Sequence, residues 1–243
     1  FQGFLLVVSS KKEIIAVVES TQGHGTLAAP PFEPLATAST MNLTVKTVFR
    51  MAVASGHRSS TIHALAAASE HIRWERDGVR LIPRPDFIAK NQSASSRHVE
   101  IFLRPLSGFS SVTEDKLWCP VRALRWYLDR VKSYMKHEQL FLAVQEPHAP
   151  VSRDTVSRWI VRAIQAAGRD ALIDSSTPHA YDTRAVSASW AIFARIPMEG
   201  ILKDAYRRSS NSFIANYLRD IPATEGSFSR ADCAAAAESR PTP

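Results

Sequence analysis

The sequence holds only two cysteines, Cys119 and Cys233, in 243 residues. Two thiols supply neither a disulfide framework nor a zinc ligand set, so the compartment expected is a reducing one, nuclear or cytoplasmic. Glycine is sparse as well, at 9 residues, and no Gly-rich loop of the kind that cradles a nucleotide phosphate is formed. A His-Glu-x-x-His zinc pair and a Gly-x-Ser-x-Gly elbow are also missing, which removes the usual metalloprotease and α/β-hydrolase chemistries. His57, His63 and His71 are spaced by six and eight, across a predicted helix and strand, as core or surface histidines are. No apolar run approaches the length that crosses a bilayer, and Phe4-Leu5-Leu6-Val7-Val8 is too short for a signal core. Neither a cofactor nor a membrane partner is therefore expected. Phe1-Gln2-Gly3 has the look of a residual engineered protease site and stays out of the fold reading.

Positive charge, by contrast, is plentiful. Thirty Lys plus Arg stand against 23 Asp plus Glu, a formal net charge of +7. Such a surplus favours polyanions, since each neutralised phosphate releases a condensed counterion. A basic protein kept soluble by its charge fits the same balance equally well. The 45% hydrophobic and 22% charged composition is ordinary for a globular chain, and the length suits one large domain or two small ones.

Along the chain, residues 1–40 carry little pattern. Ala29-Pro30-Pro31-Phe32-Glu33-Pro34-Leu35 excludes helix interior and reads as an extended arm. A helix is predicted from the cap candidate Asn42 to about Ser55, with Val45, Val48, Met51 and Ala52 on one face. A shorter one follows over Ser60–Ala67. His71–Trp74 and Val79–Ile82 flank Arg76-Asp77-Gly78, a hairpin signal, and a third strand is expected at His98–Leu103. Val121, Leu124, Leu128 and Val131 are spaced as one helix face. Val156, Trp159, Ile160 and Ala163 repeat that spacing after Ser152 and Asp154. Further helices are expected near 178–194, 197–206 and 210–219. The fold class is thus α+β, mainly helical, with a small three-stranded antiparallel sheet. Residues 41–221 form the expected folded domain, 1–40 an N-terminal arm, and 222–243 a disordered tail rich in Ser, Ala and Pro.

Breaking a DNA strand without hydrolysing it requires a nucleophile that keeps the phosphoryl group, cations on the non-bridging oxygens, and an acid for the leaving 5′-oxygen. Tyrosine, arginine and lysine suit those roles. Four segments carry such residues in order: Ala54–Leu65 with Arg58, Phe87–Gln92 with Lys90, Ala180–Ala191 with Arg184, and Ala205–Tyr217. Taken together they resemble the tyrosine recombinase catalytic domain, the phage-integrase type. Cys119–Arg130 and Pro31–Leu35 are similar to the DIRS-like retrotransposon branch in particular. The resemblance spans roughly residues 30–220.

That resemblance implies Tyr217 as nucleophile, Arg58 and Arg184 as the two phosphate-binding arginines, and Lys90 as the proton donor. It implies site-specific recombination or integration through a 3′-phosphotyrosyl link, double-stranded DNA as partner, and a homotetramer on two duplexes. Two positions depart from the pattern. Tyr181 stands where the second box carries His, and Arg207 where members carry His or Trp. His179, two residues before Tyr181, is expected on a different face. The alternative is a catalytically impaired DNA-binding protein derived from a transposon recombinase.

Overall fold

The computed structural model describes residues 26–89, 99–106, 116–170, 178–184 and 187. Its central element is helix α1 (Thr40–Ser55), whose residues Leu43–Ala52 are all buried. Four of its positions are β-branched Thr or Val in that span, so tertiary burial rather than propensity holds it helical. The hydroxyls of Thr44 and Thr47 donate to the carbonyls of Thr40 (2.7 Å) and Leu43 (2.8 Å), which satisfies them inside the core. Ser39, and not Asn42, caps the helix. Its Oγ accepts from the Asn42 N–H, while the Asn42 side chain donates to the Pro31 carbonyl.

Helix α2 is short (Ser59–His63). The reading to Ala67 overshoots because Leu65 and Ala66 leave the helix to bridge Pro83 and Gln139. Strands β1 (Ile72–Glu75), β2 (Gly78–Leu81) and β3 (Ile101–Leu103) form one antiparallel sheet in the order β1-β2-β3. Its register pairs Trp74 with Val79 and Leu81 with Ile101. Helices α3 (Pro120–Val131) and α4 (Arg153–Asp170) both pack on α1, and α4 also packs on α2. Val45, Phe49, Leu124, Tyr127, Phe141 and Ile160 lie in the shared core. The α+β class and the three-stranded sheet are therefore as the periodicities indicate. The helices expected over 197–206 and 210–219, the chain before residue 26 and the tail lie outside the described residues.

Residues 26–38 do not stand off as an extended arm. Leu27 and Leu35 are fully buried and Phe32 nearly so, because three bulky apolar side chains lower their free energy by joining the core. Polar bonds fix the segment in place. Arg130 of α3 donates to the carbonyls of Leu35, Ala36 and Ala38 at 2.9–3.1 Å. The Glu33 carboxylate takes a bidentate pair from Arg122 (2.7 and 3.1 Å) and a hydrogen bond from the buried Lys46. Two basic residues of α3, Arg122 and Arg130, are thus turned onto this segment.

Gly78 sets how closely β2 can approach β3. A Cβ there would lie 2.4 Å from the Leu103 carbonyl oxygen and 2.8 Å from the Phe102 ring. Gly78→Ala is therefore expected to push β3 away and lower stability by about 1–3 kcal/mol, as overpacking does. Urea denaturation checks this, and an unchanged midpoint would mean that the two strands tolerate a methyl group between them.

Candidate functional site

The first arginine box begins where α1 ends. Gly56 closes the helix with φ 62°, a left-handed conformation that a side chain would strain, and its N–H returns to the Ala52 carbonyl. The chain then turns through buried His57. Arg58 enters α2 as its N-cap, half-buried, with its carbonyl accepting from the N–H groups of Thr61 and Ile62. Ser59 meets Ser157 of α4 at 2.9 Å, which ties the start of α2 to a second helix. A rigid turn thus carries Arg58.

The second box comes to the same turn from 128 positions away. The Nε–H of Arg184 donates to the Gly56 carbonyl at 2.9 Å, and the side chain is 2% exposed. The bond orients the guanidinium plane. Ser187 fastens the same stretch, donating to the carbonyls of Val53 (2.6 Å) and Thr183 (2.7 Å). Asp182 stabilises its entry: its Oδ2 accepts from the His179 N–H at 2.9 Å. Residues 182–184 and 187 are helical, and the helical conformation begins only at Asp182.

That late start changes the reading of Tyr181 and His179. Three-residue spacing would set Tyr181 and Arg184 on one helical face, yet Tyr181 is 56% exposed while Arg184 is buried. Tyr181 lies in the turn before the helix, so helical spacing does not govern it. His179 is not on a different face either. Its ring stacks on Tyr181 with centroids 5.2 Å apart and planes 12° from parallel. Spacing rules for helices missed this contact, and no signal in the sequence marks where the turn ends.

The structure thus brings Arg58 and Arg184 to one turn and sets Tyr181 beside that box at the surface. Lys90, Arg207 and Tyr217 lie outside the described residues. Lys90 falls in the stretch that joins β2 to β3, and its chain is described as far as Ala89. Two of the histidines singled out earlier, His63 and His71, bond to the scaffold. The His63 Nε2 bonds to the Val151 carbonyl and the His71 Nδ1 to the Ile82 carbonyl, each at 3.1 Å. Burial, helped by nearby Arg84, lowers the His63 pKa and favours its neutral ring. Among the described residues, no three His, Cys, Asp or Glu side chains group as metal ligands would. No helix among them is long and apolar enough to cross a membrane.

No family model matches the sequence, and no curated protein does. Solved structures do match the fold. The XerH site-specific recombinase bound to palindromic difH substrate, in a post-cleavage complex, superposes with a TM-score of 0.56. The match is 14% identical and covers 97% of this chain and 53% of that one. The XerH pre-cleavage complex with difH gives 0.56 at 12% identity, over 99% and 56% of the two chains. XerA recombinase gives 0.52 at 16% identity, over 98% and 65%. The fold is that of a tyrosine recombinase catalytic domain. The chain spans between about half and two thirds of the length of these recombinases. Within that fold, the Arg184 side chain reaches the turn that carries Arg58.

Proposed function

We propose that this chain cuts and rejoins DNA at specific sites through a 3′-phosphotyrosyl intermediate. One observation carries the reading: Arg184 is locked by its Nε to the Gly56 carbonyl, two residues before Arg58. Two arginines from distant boxes thereby share one rigid turn, as gripping the two non-bridging oxygens of a single phosphate requires. In this reading the Tyr217 phenol gives up its proton to water, and its oxygen bonds to phosphorus as the bond to the 5′-oxygen breaks. Lys90 hands a proton to that leaving oxygen. Arg58 and Arg184 offset the charge that builds on the phosphoryl group. Because the phosphotyrosyl link keeps the bond energy, a second strand's 5′-hydroxyl reverses the step without ATP or a metal.

Double-stranded DNA is the substrate and a homotetramer the working form. The segment after Ile221 is assigned the role of linking protomers. The net charge of +7 supports the DNA assignment. We place the chain in the DIRS-like branch on the Pro31–Leu35 and Cys119–Arg130 segments. Their direct bonding through Glu33–Arg122 and Arg130–Leu35 supports treating them as one unit.

A second reading rests on Tyr181. The fold is kept, but a phenol stands at the surface where the motif carries an imidazole. A DNA-binding protein with little strand cleavage would look this way. Incubation with nicked duplexes of randomised sequence, read on a denaturing gel, separates the two readings. The first expects a slow-migrating covalent adduct that disappears in Tyr217→Phe. Binding with steep salt dependence but no adduct, even after Tyr181→His with Arg207→Trp, would leave only the second.

A further inference from the structure

Sheet and helix leave a double hollow on the surface where β1 passes α3. One side, of about 400 Å³, is lined by Trp74, Leu128 and Met135, with Arg125 and Lys132 among its polar groups. The other, of about 370 Å³, is lined by Pro105, Val121 and Trp126, with Arg76 and again Arg125. Arg125 is the shared residue, and its guanidinium lies 4.5 Å from the centre of the Trp74 ring. Trp74 and Trp126 are 43% and 37% exposed, two of four large apolar side chains left open to solvent among the described residues. None of the lining belongs to the Arg58–Arg184 turn.

The charge around the hollows is uneven. Arg122 and Glu75 also line them but are committed elsewhere, to Glu33 and Arg80. Arg76, Arg125 and Lys132 have no carboxylate partner among the described residues, against one unpaired carboxylate, Asp129. Three cations and one anion leave a positive rim over apolar floors. An exposed aromatic pair with arginine between them is the composition of a recognition surface rather than of a solvated face.

We propose that this double hollow docks an acidic partner peptide, with an apolar side chain on each side of a carboxylate that Arg125 holds. Charge complementarity selects the acid, and the two floors select the flanking groups. Single-stranded nucleic acid shares the negative charge but fits less well. Base stacking needs an open aromatic face, and Arg125 already occupies one face of Trp74. Leu128, Met135, Val121 and Pro105 offer aliphatic floors suited to side chains, and Glu75 and Asp129 interrupt a phosphate track.

Panning a phage-displayed random peptide library against the full chain tests this. The enriched sequences are expected to place Asp or Glu between Leu, Phe or Trp residues. A labelled synthetic peptide of that consensus should bind, by fluorescence anisotropy, at least about tenfold more weakly to Arg125→Glu, since the charge pair becomes repulsive. Trp126→Ala should weaken it too, with both variants melting as the parent does. The proposal is overturned if no acidic-apolar consensus emerges, or if the peptide's affinity ignores both substitutions. Oligothymidine that displaces the peptide and is itself lost in Arg125→Glu would reassign the surface to nucleic acid.

Discussion

Arg184→Lys is expected to cut covalent adduct formation by about 10²–10³-fold, the cost typical of removing one preorganised donor from a developing oxyanion. The positive charge survives this change. What disappears is the planar fork that holds the Gly56 carbonyl and, in the proposed mechanism, grips a phosphate oxygen. A lysine ammonium placed on the Gly56 carbonyl no longer reaches outward, and one placed on the phosphate abandons that carbonyl. Buried and unpaired, the carbonyl then costs about 1–3 kcal/mol, so the substitution also lowers the denaturation midpoint. Two readouts keep the effects apart. Adduct rates measured well below the melting range report the phosphate contact, and urea denaturation reports the clasp. If Arg184→Lys lost stability but kept its adduct rate, Arg184 would be a structural clasp alone.

Glu33→Gln is expected to destabilise the fold by about 3–5 kcal/mol, since breaking one partner of a buried ion pair strands the others. Glu33 sits among three cations. Arg122 is bidentate to it, and Lys46 is 1% exposed and bonded to it. Arg50 lies one helical turn beyond Lys46 with its guanidinium 3.5 Å from the centre of the Trp118 ring. Its Nε and Nη2 have no hydrogen-bond partner among the described residues. An uncharged amide at position 33 would leave this buried cluster with no counter-charge.

The same cluster sets a pH dependence. Burial pushes the Glu33 carboxyl upward, but hydrogen bonds and charge from Arg122 and Lys46 bring it below its ordinary 4.5. The stability it contributes is thus present above pH 4.5 and lost as pH falls through the lower folded value. Lys46 behaves differently. Burial pulls it from 10.5 to about 8 despite the attraction of Glu33. Between those two values the unfolded chain holds the proton more tightly, so this group's contribution rises as pH climbs through the window. Glu33→Gln should remove the acid-side loss from Glu33 and lower the Lys46 value further. Urea midpoints measured across the two pH ranges check both. A loss under about 1 kcal/mol would place the cluster with ordinary surface ion pairs.

Much of the fold was legible in the sequence because its periodicities are strong. Val121, Leu124 and Val131 mark the buried face of α3, and Arg76-Asp77 marks the hairpin turn between β1 and β2. The first helix was found but its cap was not. Asn42 and Ser39 are equally good caps by chemistry, and the choice depends on the Pro31 carbonyl that occupies Asn42. Prolines made residues 29–35 look like a free arm, whereas Leu35 and Glu33 are held by contacts with residues about ninety positions away. Long-range polar clamps of that kind leave no periodic trace. At the site, ordered motifs named Arg58 and Arg184, yet only the Gly56 carbonyl shows how they meet. The stacking of His179 on Tyr181 depends on where a turn gives way to helix, a boundary that pattern reading resolves least well.

Mapping the covalent adduct tests the central claim most directly. Trapped complexes would be digested with nuclease and protease, and the nucleotide-bearing peptide sequenced by mass spectrometry. The account predicts a phosphodiester remnant on the Tyr217 oxygen with the 3′ end of the cut strand attached. An adduct on another side chain, or a 5′-linked nucleotide on Tyr217, would contradict it.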